Sequence, residues 1–179
     1  MLIGISGRRG TGKTTAANYL LRKHGFKRVS FADELKRLAK TLMPFTDNDL
    51  SVIAKKEAKF KTYDWSPREF MIHFGEFMRF HDPNYWLDRG MSLVTDTTQS
   101  FVFDDVRYKN EAEAVKAAGG VLLRIERYEK KNPYGKNLDT PSETDLDNYT
   151  FDYTIPAVRN TTLTELYNQV ESFMSERTS

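Results

Sequence analysis

The sequence predicts an α/β fold, a doubly wound parallel sheet of about five strands flanked by helices. Three observations carry this. Short apolar runs recur along the chain and are bounded by turn residues, as buried parallel strands are. Stretches with apolar residues at helical spacing lie between them. A glycine-rich loop joins the first run to the first helical stretch, the junction at which doubly wound sheets hold ligands.

The elements follow in order. Residues 2–6, Leu-Ile-Gly-Ile-Ser, read as the first strand. Residues 14–23 place Ala17, Leu20 and Leu21 on one helical face, with Gly25 as the stop. Residues 26–31 read as a second strand. Residues 33–43 form a helix that Pro44 ends, and residues 47–59 a polar helix rich in lysine. Ser66, Pro67 and Glu69 make an N-cap, a first-turn proline and a capping-box acid, so a helix runs from 67 to about 80. Asp82-Pro83 opens another through Trp86, Met91 and Val94. Residues 33–97 are therefore mostly helical. Residues 100–103 are a strand, 110–118 a helix stopped by Gly119-Gly120, 121–125 a strand, 151–155 a last strand and 163–174 a last amphipathic helix. Residues 128–150, with Pro133, Gly135, Pro141 and many polar side chains, have the composition of a mobile loop.

The 179 residues fit one domain, with 39% apolar and 29% charged side chains. Twenty-seven basic residues face 25 acidic ones, a near balance that argues against a nucleic-acid partner. No cysteine is present, which excludes disulfides, thiolate metal sites and a cysteine nucleophile. No segment is apolar enough to span a bilayer, and the start does not read as a signal peptide, so the sequence reads as cytoplasmic. The three histidines, His24, His73 and His81, show no metal-ligand spacing.

Gly7-Arg8-Arg9-Gly10-Thr11-Gly12-Lys13-Thr14 matches the P-loop pattern in full, after a strand and before a helix. Its glycines let backbone N–H groups turn toward phosphate oxygens, and the helix N-terminus adds positive potential. Gly7, Arg9, Gly10, Thr11, Gly12, Lys13, Thr14 and Thr15 are the expected nucleotide contacts. Lys13 is expected on the β- and γ-phosphates of ATP, and the Thr14 hydroxyl on Mg²⁺. Asp104-Asp105 ends an apolar strand, where a carboxylate either serves Mg²⁺ or the acceptor, or caps the next turn. Asp33 follows the second strand and contacts an acceptor or metal, or caps its helix. Phe70, Met71, Phe74, Phe77 and Met78 lie at helical spacings and read mainly as a core stripe, with room for one aromatic to stack on a base.

Beyond the P-loop, further segments recur in order: Phe31-Ala32-Asp33-Glu34-Leu35-Lys36, Arg68 through Gly75, Tyr85-Trp86, Asp105-Val106-Arg107 with Asn110-Glu111-Ala112, Gly119-Gly120, Arg127, and Asp139-Thr140 with Glu143. In these the chain resembles the deoxynucleoside monophosphate kinases of bacteriophages. The resemblance implies a single P-loop NTPase domain over 1–179, with an acceptor-binding part at 33–97 and a lid at 127–150. It implies ATP as donor with Mg²⁺ and a deoxynucleoside monophosphate as acceptor. Asp105 and Arg107 would stand beside the phosphates, with Asp105 on the metal, and Arg127 would reach the transferring group from the lid. Asp33, Lys36, Arg68, Phe74, Trp86 and Arg107 would meet the acceptor, and Asn160 the donor base. Small-molecule nucleotides are the implied partners, a homodimer is compatible, and a phage source would place the protein in the host cytoplasm. Pro141 stands where the family carries histidine. Two other readings stay open on the residues alone: a P-loop kinase of another acceptor, and a nucleotide-binding regulator without turnover.

Overall fold

The computed structural model describes residues 1–60, 62–96, 98–126, 140–156 and 162–178. Its elements are β1 (Leu2–Ser6), α1 (Lys13–His24), β2 (Lys27–Val29), α2 (Ala32–Leu42), α3 (Asp47–Ser51), α4 (Ile53–Glu57), α5 (Pro67–His81) and α6 (Tyr85–Met91). They continue with β3 (Phe101–Phe103), α7 (Lys109–Ala117), β4 (Val121–Ile125), α8 (Pro141–Thr144), β5 (Tyr153–Ile155) and α9 (Leu163–Thr178). The chain divides into two compact units, residues 1–30 with 94–179, and residues 31–93.

The first unit is built on a five-stranded sheet of order β2-β3-β1-β4-β5, parallel throughout. β1 is central and buried along its whole length. That explains why its sequence is an unbroken apolar run and not an alternating one. Ile3, Ile5, Val102, Leu123, Ile125 and Ile155 from the strands pack with Ala16, Ala17 and Leu20 of α1 and Leu166, Val170 and Phe173 of α9. Burying each of the larger side chains contributes about 1.5–3 kcal/mol. The chain leaves β1 for the β2 edge, returns to β3, then crosses to β4. The order therefore reverses between β1 and β3, and the loops after these two strands lie together at the carboxyl edge. The Val106 N–H donates to the Ile5 carbonyl at 3.2 Å, tying the turn after β3 to the end of β1.

The second unit holds α2 to α6 around Ala39, Phe45, Leu50 and Met71, with Phe60, Trp65 and Phe70 packed against them. The expected 47–59 helix is two short ones, broken at Val52, whose ψ is 119°. The Ser51 hydroxyl donates to the Asp47 carbonyl at 2.6 Å, a local bond that competes with helix continuation. Phe77 is 59% exposed. At 100° per residue it points roughly 120° away from buried Met71, off the core stripe. α6 stops at Met91, short of Val94, where the Ser92 hydroxyl bonds the Arg89 carbonyl.

Ser66 and Glu69 form the expected reciprocal cap on α5. The Glu69 N–H donates to Ser66 Oγ at 3.2 Å, and the Ser66 N–H to Glu69 Oε2 at 2.7 Å. Ser66→Ala is expected to cost about 1 kcal/mol of stability, measured by denaturant unfolding. An unchanged midpoint would contradict this role for the cap.

Candidate active site

The glycine loop leaves β1 with a backbone that only glycine tolerates at its two ends. Gly7 has φ +150°, and a Cβ there would stand 2.3 Å from the Ile125 carbonyl oxygen. Gly12, the residue before α1, has φ +104°. Between them the Thr11 hydroxyl donates to the Arg8 carbonyl at 2.9 Å, closing the loop. α1 carries no acid in its first turn and Arg22, Lys23 and His24 in its last, the distribution that leaves its N-terminus favourable to an anion.

Lys13 opens α1 and is 8% exposed. Its ammonium donates to the Gly7 carbonyl at 2.7 Å and the Arg8 carbonyl at 2.9 Å. Burial lowers its pKa to about 7, and the nearby Arg107 charge pushes the same way. The carboxylates of Glu143, Asp104 and Asp105 oppose that shift.

Thr14 Oγ1 donates to Asp104 Oδ2 at 3.1 Å. Asp104 is 4% exposed, and its other oxygen lies 2.9 Å from Arg28 Nη2. The Asp105 carboxylate instead accepts the Ser30 hydroxyl at 2.6 Å. Of the two consecutive acids, Asp104 meets Thr14, and Asp105, the acid that the resemblance placed on the metal, meets Ser30. A hydroxyl in the first turn of α1 and a carboxylate just past β3 are the hard oxygen donors that Mg²⁺ takes.

Arg107 is fixed at both ends. Its N–H and that of Tyr108 donate to Glu111 Oε2, at 2.8 and 3.1 Å, and Glu111 is 1% exposed. Its guanidinium donates through Nη1 to Glu143 Oε1 at 2.7 Å and to the Ser142 carbonyl at 3.0 Å. Burial opposes the Arg107 charge most strongly, but the Glu143, Asp105 and Glu111 carboxylates together outweigh it and raise the guanidinium pKa. Burial likewise works to raise the Glu143 pKa, yet Arg107, the Arg9 amide and Lys13 bring it below the ordinary value.

The Arg9 N–H donates to Glu143 Oε2 at 3.0 Å. Asp147 pairs with Arg8 and lies 3.5 Å from Arg124, whose Nη1 donates to Ser6 Oγ at 3.2 Å. The Lys109 N–H donates to Asp145 at 2.8 Å. Composition alone read 128–150 as a mobile loop. Its described part from Thr140 onward is docked on the P-loop and the β3 turn because Glu143, Asp145 and Asp147 each take a partner there. The sequence signal for α8 was present: Thr140-Pro141 is a cap followed by proline, with Glu143 in the first turn. Arg28 carried no comparable signal, whereas Glu111 belonged to the Asn110-Glu111-Ala112 segment.

The acceptor candidates belong to the helical unit. Lys36 Nζ bonds Asp33 Oδ1 at 3.1 Å along α2, and Arg68 Nε lies 3.7 Å from Glu57 on α4. Phe74 is half-buried between Phe70 and Trp86. Trp86 is 1% exposed, with Nε1 donating to the Gly75 carbonyl at 3.1 Å. It supports the unit from inside and presents no face to a ligand. Arg127 and Asn160 lie outside the described residues. Thr15 is half-buried on α1. Among the described residues no helix is long and apolar enough to cross a membrane.

Solved structures share this architecture. The chain is similar to a shikimate kinase from Aquifex aeolicus, with a TM-score of 0.52 and 10% identity, covering 99% of this chain and 98% of that one. It is similar to a gluconokinase from Sinorhizobium meliloti 1021 with a TM-score of 0.52 and 11% identity, covering 98% and 92%. The fold, with its glycine loop, is that of the P-loop kinases. No family profile matches the chain. A curated protein of Acanthamoeba polyphaga mimivirus, named "Putative deoxynucleotide monophosphate kinase", is 32% identical over 189 aligned positions, covering 96% of this chain and 95% of that protein. The chain belongs to the deoxynucleotide monophosphate kinase family. This relative is viral, though not from a bacteriophage.

Asp104→Asn is expected to raise the Mg²⁺ concentration for half-maximal nucleotide binding by roughly 10–100-fold, followed by fluorescence titration. Asp105→Asn is expected to leave that midpoint nearly unchanged. The reverse order would return the metal to Asp105.

Proposed function

We propose that the chain transfers the γ-phosphoryl group of ATP to a deoxynucleoside monophosphate, yielding ADP and the deoxynucleoside diphosphate. The observation that carries the chemistry is the convergence of Lys13, the Thr14–Asp104 pair and Arg107 on one glycine loop. The 32% identity to the viral relative supports the choice of acceptor.

The acceptor phosphate is already ionised near neutral pH. One of its oxygens attacks the γ-phosphorus in line, the new O–P bond forms, the bond to the β-phosphate bridging oxygen breaks, and ADP leaves with the electron pair. No general base is required, so the protein's work is positioning and charge neutralisation. The backbone amides of residues 7–15 bind the donor phosphates. Lys13 and Arg107 balance the charge on the transferring oxygens, and Arg127 is assigned the same task from the 127–150 segment. Thr14 and Asp104 would hold Mg²⁺, which would supply charge neutralisation at the phosphates; Asp105 orients the Ser30 hydroxyl. Residues 33–97 bind the acceptor, with Asp33, Lys36 and Arg68 toward its phosphate and sugar and Phe74 toward its base. Asn160 is assigned to the donor base.

The deciding experiment measures ADP formation from ATP·Mg²⁺ with dAMP, dGMP, dCMP, dTMP, their hydroxymethylated forms and the matching ribonucleotides, against a blank without acceptor. Turnover with one or more deoxynucleotides is expected, and Lys13→Ala is expected to lower it by about 100–1,000-fold. A flat panel with intact ATP binding would overturn the acceptor assignment.

A further inference from the structure

Glu143 has a side chain 1% exposed, and a carboxylate so buried is stable only when its charge and hydrogen-bonding capacity are met. Its partners come from two separate parts of the site. One oxygen takes the Arg9 N–H of the P-loop at 3.0 Å, and the other takes Arg107 Nη1 at 2.7 Å. The neighbouring Ser142 carbonyl receives the same Nη1 at 3.0 Å. Glu111 fixes the main chain at Arg107, but the arginine side chain keeps its rotamer freedom beyond that point. The Glu143 carboxylate restrains the guanidinium, and the same carboxylate sets its distance from the phosphate-binding loop. A substituent that only filled space would not need to accept from both.

We propose that Glu143 is a positioning residue of the phosphoryl transfer: it ties the Arg107 guanidinium to the P-loop backbone at Arg9, so that Arg107 is presented to the donor phosphates. This rests on the reading of Arg107 as a phosphate contact and is independent of which acceptor is used. It predicts that the two side chains act as one unit toward a polyphosphate.

The test is a double-mutant cycle on the full chain, with inorganic tripolyphosphate binding read by calorimetry. Glu143→Gln keeps the side-chain size and an acceptor for the Arg9 N–H but removes the charge that holds Arg107. Glu143→Gln and Arg107→Ala are each expected to weaken binding about tenfold, and the double variant is expected to be no weaker than Arg107→Ala alone. Added guanidinium is expected to restore binding to Arg107→Ala but not to the double variant, a readout that a purely structural role for Glu143 would not move. Should Glu143→Gln fail to fold, Glu143→Asp serves, with the charge kept and the reach shortened, and the same non-additivity is expected. Additive losses, wild-type binding by the Glu143 variants, or guanidinium rescue of the double variant would overturn the proposal. A flat acceptor panel alongside a non-additive cycle would sink only the acceptor reading. Good deoxynucleotide turnover alongside an additive cycle would sink only the role of Glu143.

Discussion

Burying a lysine ammonium at the mouth of a glycine loop disfavours its charge, and the arrangement around Lys13 answers that cost. The ammonium is held by the Gly7 and Arg8 carbonyls, which requires the loop to fold back on itself. That in turn requires glycine at the first position, where a Cβ would strike the Ile125 carbonyl. The sheet order puts β1 between β3 and β4, so the loop forms at the one edge where the turn after β3 can supply counter-charges. Fold and site are linked there, because moving the strand order would remove the acids from the lysine.

The charges around the loop are balanced in pairs. Asp104 stands between the Thr14 hydroxyl and the Arg28 guanidinium, and Glu143 between the Arg9 amide and Arg107. Ion pairs at exposed positions contribute little, typically ~0–1 kcal/mol. These are mostly buried, where removing one partner strands the other in a low dielectric. The network accordingly specifies geometry more than it adds stability. It holds two cations near one loop in a way their mutual repulsion would otherwise oppose, and phosphoryl transfer needs that concentration of positive charge.

What the sequence reveals and what it hides divides along the same physical line. The P-loop, the Ser66 cap and the Gly25 stop were legible because each depends on residues within a few positions of one another. Which of Asp104 and Asp105 meets Thr14 was not, since two adjacent residues leaving a strand point in opposite directions and only the register of β3 against β1 decides between them. Glu143 reaches its P-loop partner across 134 positions, a distance at which local pattern carries no information. The break at Val52 and the outward turn of Phe77 were missed for a smaller reason, a local hydroxyl bond in one case and helical phase in the other. The resemblance to nucleotide kinases indicated the family from scattered segments, and the family is what the viral relative bears out.

The most direct test of this account is the proton uptake that accompanies nucleotide binding. With its pKa lowered to about 7, Lys13 is mostly neutral at a pH one unit higher. Nucleotide phosphates beside it favour the charged form and raise that pKa. Binding must then draw a proton from buffer, and affinity must fall as pH rises above the free-state value toward the bound-state one. Calorimetry of ATP·Mg²⁺ binding near pH 8, in two buffers of different ionisation enthalpy, reads the proton directly. The account predicts uptake of about 0.9 proton in the wild type and none in Lys13→Met. Tight binding by the wild type with no uptake would contradict it.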